Sequence, residues 1–183
     1  NWPLQQAARI MRAGGIIAYP TEAVWGLGCD PFNPDAVYRL LALKRRPVNK
    51  GLILITGDVG HLKPWLTALS SDRKNILAQH WPGFSTWVVP DTGNAPDWIK
   101  GDHAGVALRV SAHPLVSALC STFGGPIVST SANITGHPAA RRRWQVEHYF
   151  HGQLDYVLAG PLGGARQVSV IRDLLTGEPL RGI

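Results

Sequence analysis

The sequence predicts an α/β fold, and three observations carry the prediction. Apolar residues recur by turns at helical and at strand spacing along the chain. The 183 residues fit one domain, 1–183, and a hydrophobic content of 45% is enough to fill a core. Two polar segments, Lys44-Arg45-Arg46-Pro47 and Ser129-Thr130-Ser131-Ala132-Asn133, each follow directly on a periodic or apolar run. Cations and small hydroxyl or amide groups delivered from the ends of elements suit a phosphate-bearing ligand.

The elements follow in order. Leu4, Ala7, Ala8 and Met11 outline an amphipathic helix stopped by Gly14-Gly15, and Ile16-Ile17-Ala18-Tyr19 follows as a buried strand ended by Pro20. A helix at Asp35–Lys44 buries Ala36, Val37, Leu40 and Leu41 and leaves its charged end protruding. Next come a strand at Leu52–Ile55, helical stretches near Val59–Leu66 and Ser71–His80, and strands at Thr86–Val89 and Val106–Val110. His113–Phe123 is helical, and Pro126-Ile127-Val128 opens a strand reaching Ser129, whose following side chains should emerge at its carboxyl end. A basic helix near Arg142–Phe150 and short strands around Tyr156–Leu158, Ser169–Arg172 and Leu180–Arg181 complete the chain. Gly124-Gly125-Pro126 and Gly160-Pro161-Leu162-Gly163-Gly164 are loops, the second able to move over a ligand.

A formal net charge of +6 favours an anionic partner such as a nucleotide, tRNA or other RNA without choosing among them. Cys29 and Cys120 stand far apart with no zinc-like Cys/His spacing, and are expected to be small buried residues. The first residues lack the pattern of a signal peptide, and no apolar run approaches the roughly 18 residues of a membrane span. A cytoplasmic protein without membrane contact is the expectation.

The common nucleotide fingerprints are missing. There is no Gly-x-x-x-x-Gly-Lys-Ser/Thr loop, and Gly26-Leu27-Gly28-Cys29-Asp30-Pro31 lacks the third glycine of a dinucleotide site. A phosphate site must therefore be built differently. Lys44, Arg45, Arg46 and Lys50 are not neutralised locally, because no acid occurs between Asp35 and Asp58. Arginine grips carboxylate or phosphate through two parallel bonds, whereas lysine acts more as a point charge. The same run also suits a solvated helix end complementing the dipole. The turn Pro47-Val48-Asn49-Lys50-Gly51 and the immediate entry into Leu52-Ile53-Leu54-Ile55 place it instead at a helix-to-strand corner.

Several segments in one order carry a family resemblance. They are Tyr19-Pro20-Thr21-Glu22-Ala23-Val24-Trp25-Gly26-Leu27-Gly28-Cys29-Asp30, Leu43-Lys44-Arg45-Arg46-Pro47 with Lys50-Gly51-Leu52, and Trp81-Pro82-Gly83. They continue with Val106-Ala107-Leu108-Arg109-Val110 and His113-Pro114, then Ser129-Thr130-Ser131-Ala132-Asn133, Ser169-Val170-Ile171-Arg172-Asp173 and Glu178-Pro179-Leu180-Arg181-Gly182. The set resembles the YrdC/TsaC family of threonylcarbamoyl-AMP synthases, in the short bacterial form. The resemblance implies an open twisted sheet of mixed parallel and antiparallel strands flanked by helices, with a concave basic cavity.

It also implies synthesis of L-threonylcarbamoyladenylate and pyrophosphate from ATP, L-threonine and bicarbonate or carbon dioxide. The product serves N6-threonylcarbamoylation of adenosine 37 in tRNAs reading ANN codons, and separate partner proteins transfer it to tRNA. Carbamate oxygen attacks the α-phosphate in line, a reaction that needs cations and positioning rather than an activated serine or cysteine. By resemblance, Lys44 and Arg46 are the catalytic pair, and Lys44, Lys50, Ser131, Asn133 and Arg181 bind ATP, with Arg45 pointing away. Thr21, Arg109, Ser129 and Ser169 bind threonine, Arg109 through the carboxylate. Read from residues alone, Thr21 also suits turn or cap chemistry after Pro20, and Arg109 is a strand charge whose apolar neighbours Leu108 and Val110 call for burial with a partner. Magnesium is expected to arrive with ATP, with no dedicated protein metal site.

One departure stands out: after Trp81-Pro82-Gly83 the family often has Pro-x-Thr, whereas this chain has Phe84-Ser85-Thr86, and Ser85 is given no role. His148 and His151 lack the carboxylate or cysteine company of a metal site, and Asn133-Ile134-Thr135 is a coincidental glycosylation match. Trp25, Trp81 and Trp87 read as core rather than as RNA-stacking rings. The Arg141-Arg142-Arg143 run fits a solvated helix start or an RNA-facing patch. A different class of function, binding of double-stranded or ribosomal RNA in ribosome maturation, rests on the basic balance and would show steep salt dependence without sequence preference. A carbamoyl-transfer domain of the hydrogenase-maturation type shares the motifs but sits in much longer chains.

Overall fold

The computed structural model describes residues 1–180, so Arg181 lies outside the described residues. The elements are α1 (Trp2–Arg12), β1 (Ile17–Pro20), β2 (Trp25–Gly28), α2 (Pro34–Lys44), β3 (Ile53–Thr56), α3 (Lys63–Leu66), α4 (Ser71–His80) and β4 (Ser85–Pro90). They continue with α5 (Asp97–Lys100), β5 (Gly105–Val110), α6 (Pro114–Phe123), β6 (Ile127–Ser131), α7 (Arg143–Phe150), β7 (Tyr156–Val157) and β8 (Val170–Asp173). One eight-stranded sheet runs β7-β1-β2-β6-β3-β5-β4-β8. Pairs β1–β7, β3–β5 and β4–β8 are parallel, and β1–β2, β2–β6, β3–β6 and β4–β5 are antiparallel. The open mixed sheet expected from the resemblance is the sheet observed.

Strand periodicity distributes side chains to the two faces. Ile17 and Tyr19 join Ile55 and Ile127 against Ala7 and Met11 of α1 and Val116, Leu119 and Cys120 of α6. Ala18, Leu27, Leu54, Leu108 and Val128 belong to the larger opposite core, with Val37, Leu40 and Leu41 of α2, Leu77 of α4 and Phe150 of α7. Each such leucine, isoleucine or valine contributes about 1.5–3 kcal/mol by burial. Trp25, Trp81 and Trp87 are buried, as are both free cysteines, whose thiols burial pushes up to about 12.

Local signals fix the two helices nearest the cleft. Asn33 caps α2 by accepting from Ala36 N, Pro34 enters the first turn, and Asp35 and Lys44 complement the dipole at its ends. His113 caps α6 by accepting from Leu115 N, and Gly124 ends it at φ 93°.

The structure departs from the sequence expectation in a few places. β2 was not expected, because its glycines disfavour a strand. A Cβ on Gly28 would lie 2.7 Å from Val128 O and 2.8 Å from the Tyr19 ring, so the residue is set by the close approach of β6 and that ring. The stretch Val59–Leu66 divides into a 3₁₀ turn at Val59–Leu62 and the separate helix α3, where Pro64 enters a new first turn. α5 is too short to show periodicity. At the end of the described chain, Arg172 pairs with Pro179 in an isolated antiparallel bridge and Leu180 N donates to Ile171 O, while the strand expected around Leu180–Arg181 runs outside the described residues.

Candidate active site

The corner after α2 sorts its three cations. Arg45 adopts φ 51°, the left-handed conformation, while Arg45 N donates to Ala42 O and Arg46 N to Leu41 O. This paired closure of the helix end reverses the chain. Lys44 is buried on the same face of α2 as Val37, Leu40 and Leu41, Arg45 is exposed, and Arg46 is returned toward the start of β3 at Leu52 and Ile53.

There the chain forms an open cleft of about 810 Å³, counting the space shared with solvent. Its walls come from the β1–β2 turn, the α2–β3 corner, Phe84, Arg109 of β5, the end of β6 and the segment around Ser169. Of the residues assigned by resemblance, Thr21, Arg46, Arg109, Ser129, Ser131 and Ser169 line it. Thr21 also makes the expected turn bond, its hydroxyl donating to Val24 O at 2.8 Å. The Ser169 and Thr86 hydroxyls pair at 3.1 Å.

Both arginines present donors with no hydrogen-bond partner among the described residues. Arg46 Nη2 donates to Gly51 O at 2.9 Å, but its buried Nε is unpartnered, and burial lowers the pKa of the guanidinium. Arg109 is buried with the partner its neighbours demanded, Nη2 lying 2.6 Å from Glu22 Oε2. Phe84 covers it, the ring centroid 5.0 Å from the guanidinium carbon. Arg109 Nε and Nη2 are nevertheless without an aligned acceptor. Unsatisfied N–H groups on two arginines beside one cleft suit an anionic ligand.

Lys44 sits differently from a cleft-lining phosphate ligand. Its ammonium donates to Ser131 O, to Asn133 O at 2.8 Å and to Asn133 Oδ1 at 3.3 Å, with its side chain behind the cleft wall. Ser131 Oγ donates to Asn133 Oδ1 at 2.6 Å, and Asn133 Nδ2 donates to His137 O at 2.7 Å. Burial, and the nearby Arg46 guanidinium, push the Lys44 ammonium down from 10.5 to about 7. Lys44 therefore fixes the Ser131–Asn133 turn from behind. Asn133 belongs to that turn rather than to the cleft lining, and Lys50 is exposed outside it. Arg181 falls outside the described residues.

Sequence reasoning gave no role to Glu22, Phe84 or Val168, although Phe84 and Val168 face the cleft and Glu22 backs Arg109. Glu22 stands in the Tyr19–Asp30 motif as one of its two acids, with Asp30. The Gly160–Gly164 loop is tied down at Gly163, whose N donates to Thr21 O, and at Pro161 O, which lies 3.1 Å from His113 Nε2. The Arg141–Arg143 run is engaged locally: Arg141 Nη2 donates to Arg166 O, Gln145 Oε1 accepts from Arg141 N and Arg142 N, and Arg143 pairs with Glu147. Among the described residues no group of three or more His, Cys, Asp or Glu could hold a metal ion, and no helix is long and apolar enough to cross a membrane.

An open mixed α/β sheet with arginine donors and small hydroxyls converging on one cleft defines a protein that binds a small anionic ligand with hydrogen-bonding groups. The family model described as telomere recombination, Sua5/YciO/YrdC, matches residues 9–181, and the chain belongs to that family. A relative from Stutzerimonas stutzeri named threonylcarbamoyl-AMP synthase is 58% identical over 181 residues, covering 99% of this chain and 97% of the relative. One of the same name from Pseudomonas putida is 57% identical over the same span and coverage. Among solved structures, P. abyssi Sua5 complexed with L-threonine is similar at a TM-score of 0.89 and 30% identity. The match covers 97% of this chain and 52% of that one, so this chain spans about half the length of that Sua5.

Proposed function

We propose that the chain is a threonylcarbamoyl-AMP synthase, an enzyme forming L-threonylcarbamoyladenylate and pyrophosphate from L-threonine, bicarbonate or carbon dioxide, and ATP. The observation that carries it is the cleft in which Arg46, Arg109, Thr21, Ser129, Ser131 and Ser169 converge, in a chain alike along nearly its whole length to relatives bearing that name.

Threonine's carboxylate pairs with the open donors of Arg109, and its amine and hydroxyl face Thr21, Ser129 and Ser169. The amine becomes a carbamate whose oxygen attacks the α-phosphate of ATP, and pyrophosphate leaves. Negative charge gathers where the three parts meet, and Arg46 with the Ser131 turn stabilises it there. Lys44 contributes by holding that turn in place. The family resemblance assigns Lys50, Asn133 and Arg181 to the ATP side as well, with Asn133 acting through the turn that carries Ser131. Magnesium enters as part of the ATP substrate, held by phosphates and water. The adenylate passes to separate proteins that modify adenosine 37 of tRNAs reading ANN codons, and we read the enzyme as cytoplasmic.

The test is incubation of the purified chain with ATP, magnesium, bicarbonate and labelled threonine. Pyrophosphate release and the adenylate, read by mass spectrometry, are expected to vanish when threonine or bicarbonate is omitted. A folded sample that makes no adenylate overturns the proposal.

A further inference from the structure

The buried carboxylate behind the cleft has a geometry of its own. Glu22 Oε2 lies 2.6 Å from Arg109 Nη2, with the two side chains only 12% and 8% exposed. At that distance a favourably oriented N–H would make a strong hydrogen bond, yet neither atom has one, so the Arg109 N–H bonds aim away from the carboxylate. Glu22 compensates the guanidinium's charge without occupying its donors. Glu22 is itself fixed: Oε1 accepts from Ser111 Oγ at 2.7 Å, and that hydroxyl accepts from His113 N at 3.0 Å. Its backbone O accepts from Ala165 N at 2.9 Å, and a Cβ on Gly163 would lie 2.9 Å from Glu22 Cα. Phe84 covers the guanidinium at 5.0 Å.

We infer that Glu22 is a positioning residue for threonine recognition. It holds Arg109 charged and oriented in a buried site while leaving Nε and Nη2 without a competing acceptor, so that they can turn to the amino acid's carboxylate. The Ser111–His113 segment and the Gly163–Ala165 loop keep Glu22 in place. This rests on the reading of Arg109 as the carboxylate anchor. A buried guanidinium deprived of its counter-charge reorients toward solvent or toward other acceptors, and the cleft loses its preorganised fork.

The test compares steady-state kinetics of Glu22→Gln, Glu22→Asp and Arg109→Ala with the unsubstituted protein. Glu22→Gln is expected to raise the threonine KM by about 10-fold or more, with the ATP KM within about 2-fold, because the lost contact belongs to substrate binding. Glu22→Asp recovers most of the loss. Inhibition by threoninol, which lacks the carboxylate, is expected to be unchanged in Glu22→Gln. A purely structural role would instead reduce kcat through a smaller active fraction and leave both KM values alone, and that result overturns the inference. It is overturned equally if Arg109→Ala raises the threonine KM while Glu22→Gln does not. If Arg109→Ala leaves the threonine KM unchanged, the assignment of Arg109 fails and this inference falls with it. Should Glu22→Gln not fold, Ser111→Ala, which removes only the bond to Oε1, is expected to shift the threonine KM in the same direction by a smaller factor; an unchanged value refutes the role.

Discussion

Replacing Lys44 with methionine separates stability from activity in a way that follows from its surroundings. Lys44 is 2% exposed, and its ammonium donates to three oxygens of the Ser131–Asn133 turn. Bonds from a charged donor are worth about 1.5–3 kcal/mol each, so losing them is costly. Against that, a pKa depressed from 10.5 to about 7 corresponds to about 5 kcal/mol of penalty on the charged form near neutrality. The two effects are of similar size, and methionine fills nearly the same volume. Lys44→Met is therefore expected to unfold in urea within about 2 kcal/mol of the parent. The turn itself loses its clamp, and misplacing reacting groups by about 1 Å costs on the order of 100-fold in rate. Adenylate formation, followed by pyrophosphate release, is expected to fall by at least that factor. A variant with full activity refutes the positioning argument, and one that cannot fold refutes the balance of energies. The pH dependence carries the same logic. The folded pKa lies below the unfolded one, so between about pH 7 and 10.5 the unfolded chain binds more protons and stability rises with pH. The parent should gain up to roughly 1 kcal/mol per pH unit over Lys44→Met across that window, and a flat difference contradicts it.

Further outcomes follow from other contacts. Valine is expected to be used at least about 100-fold less efficiently than threonine, because it brings no hydroxyl to the polar lining of Thr21, Ser129 and Ser169; comparable kcat/KM values contradict this. At Gly57 an added Cβ would lie 2.3 Å from Ser117 Cα in α6, so Gly57→Ala should lower stability by about 1–3 kcal/mol, read from the urea midpoint. Asn33→Ala removes the α2 cap and should cost about 1 kcal/mol in the same measurement.

Periodicity located most elements because the buried faces of α1, α2, α6 and β1 repeat cleanly along the sequence. It missed β2, since a strand whose glycines admit a tyrosine ring and a neighbouring carbonyl looks like a loop to propensity alone. Among the polar residues, the arginines and hydroxyls that line the cleft could be named from motifs, but the chain reversal that returns Arg46 to the cleft depends on Arg45 taking a left-handed conformation. Such a backbone state is uncommon for a residue other than glycine, so side-chain chemistry alone did not announce it. Glu22 escaped for a related reason: its partner lies on β5, far along the chain, and only the sheet order brings the two together.

The same sheet order explains why the cleft lies where it does. β6 is shared unevenly: Ile127, Val128 and Ser129 pair with β3, whereas Thr130 and Ser131 pair with β2. Register with β3 ends at the Ile53–Ser129 pair, where β3 itself begins. Beyond that point the β3 side of β6 has no strand against it, and the space is bordered by Arg46, Leu52 and Ile53. An unfilled position inside a sheet would expose backbone groups to no purpose unless they were satisfied elsewhere. Here the Ser131 and Asn133 carbonyls are taken by Lys44, and the serine hydroxyls remain at the opening. A stagger of strand ends thus creates the cavity, one buried lysine satisfies the backbone it would orphan, and the arginines on either side give the cleft its positive charge.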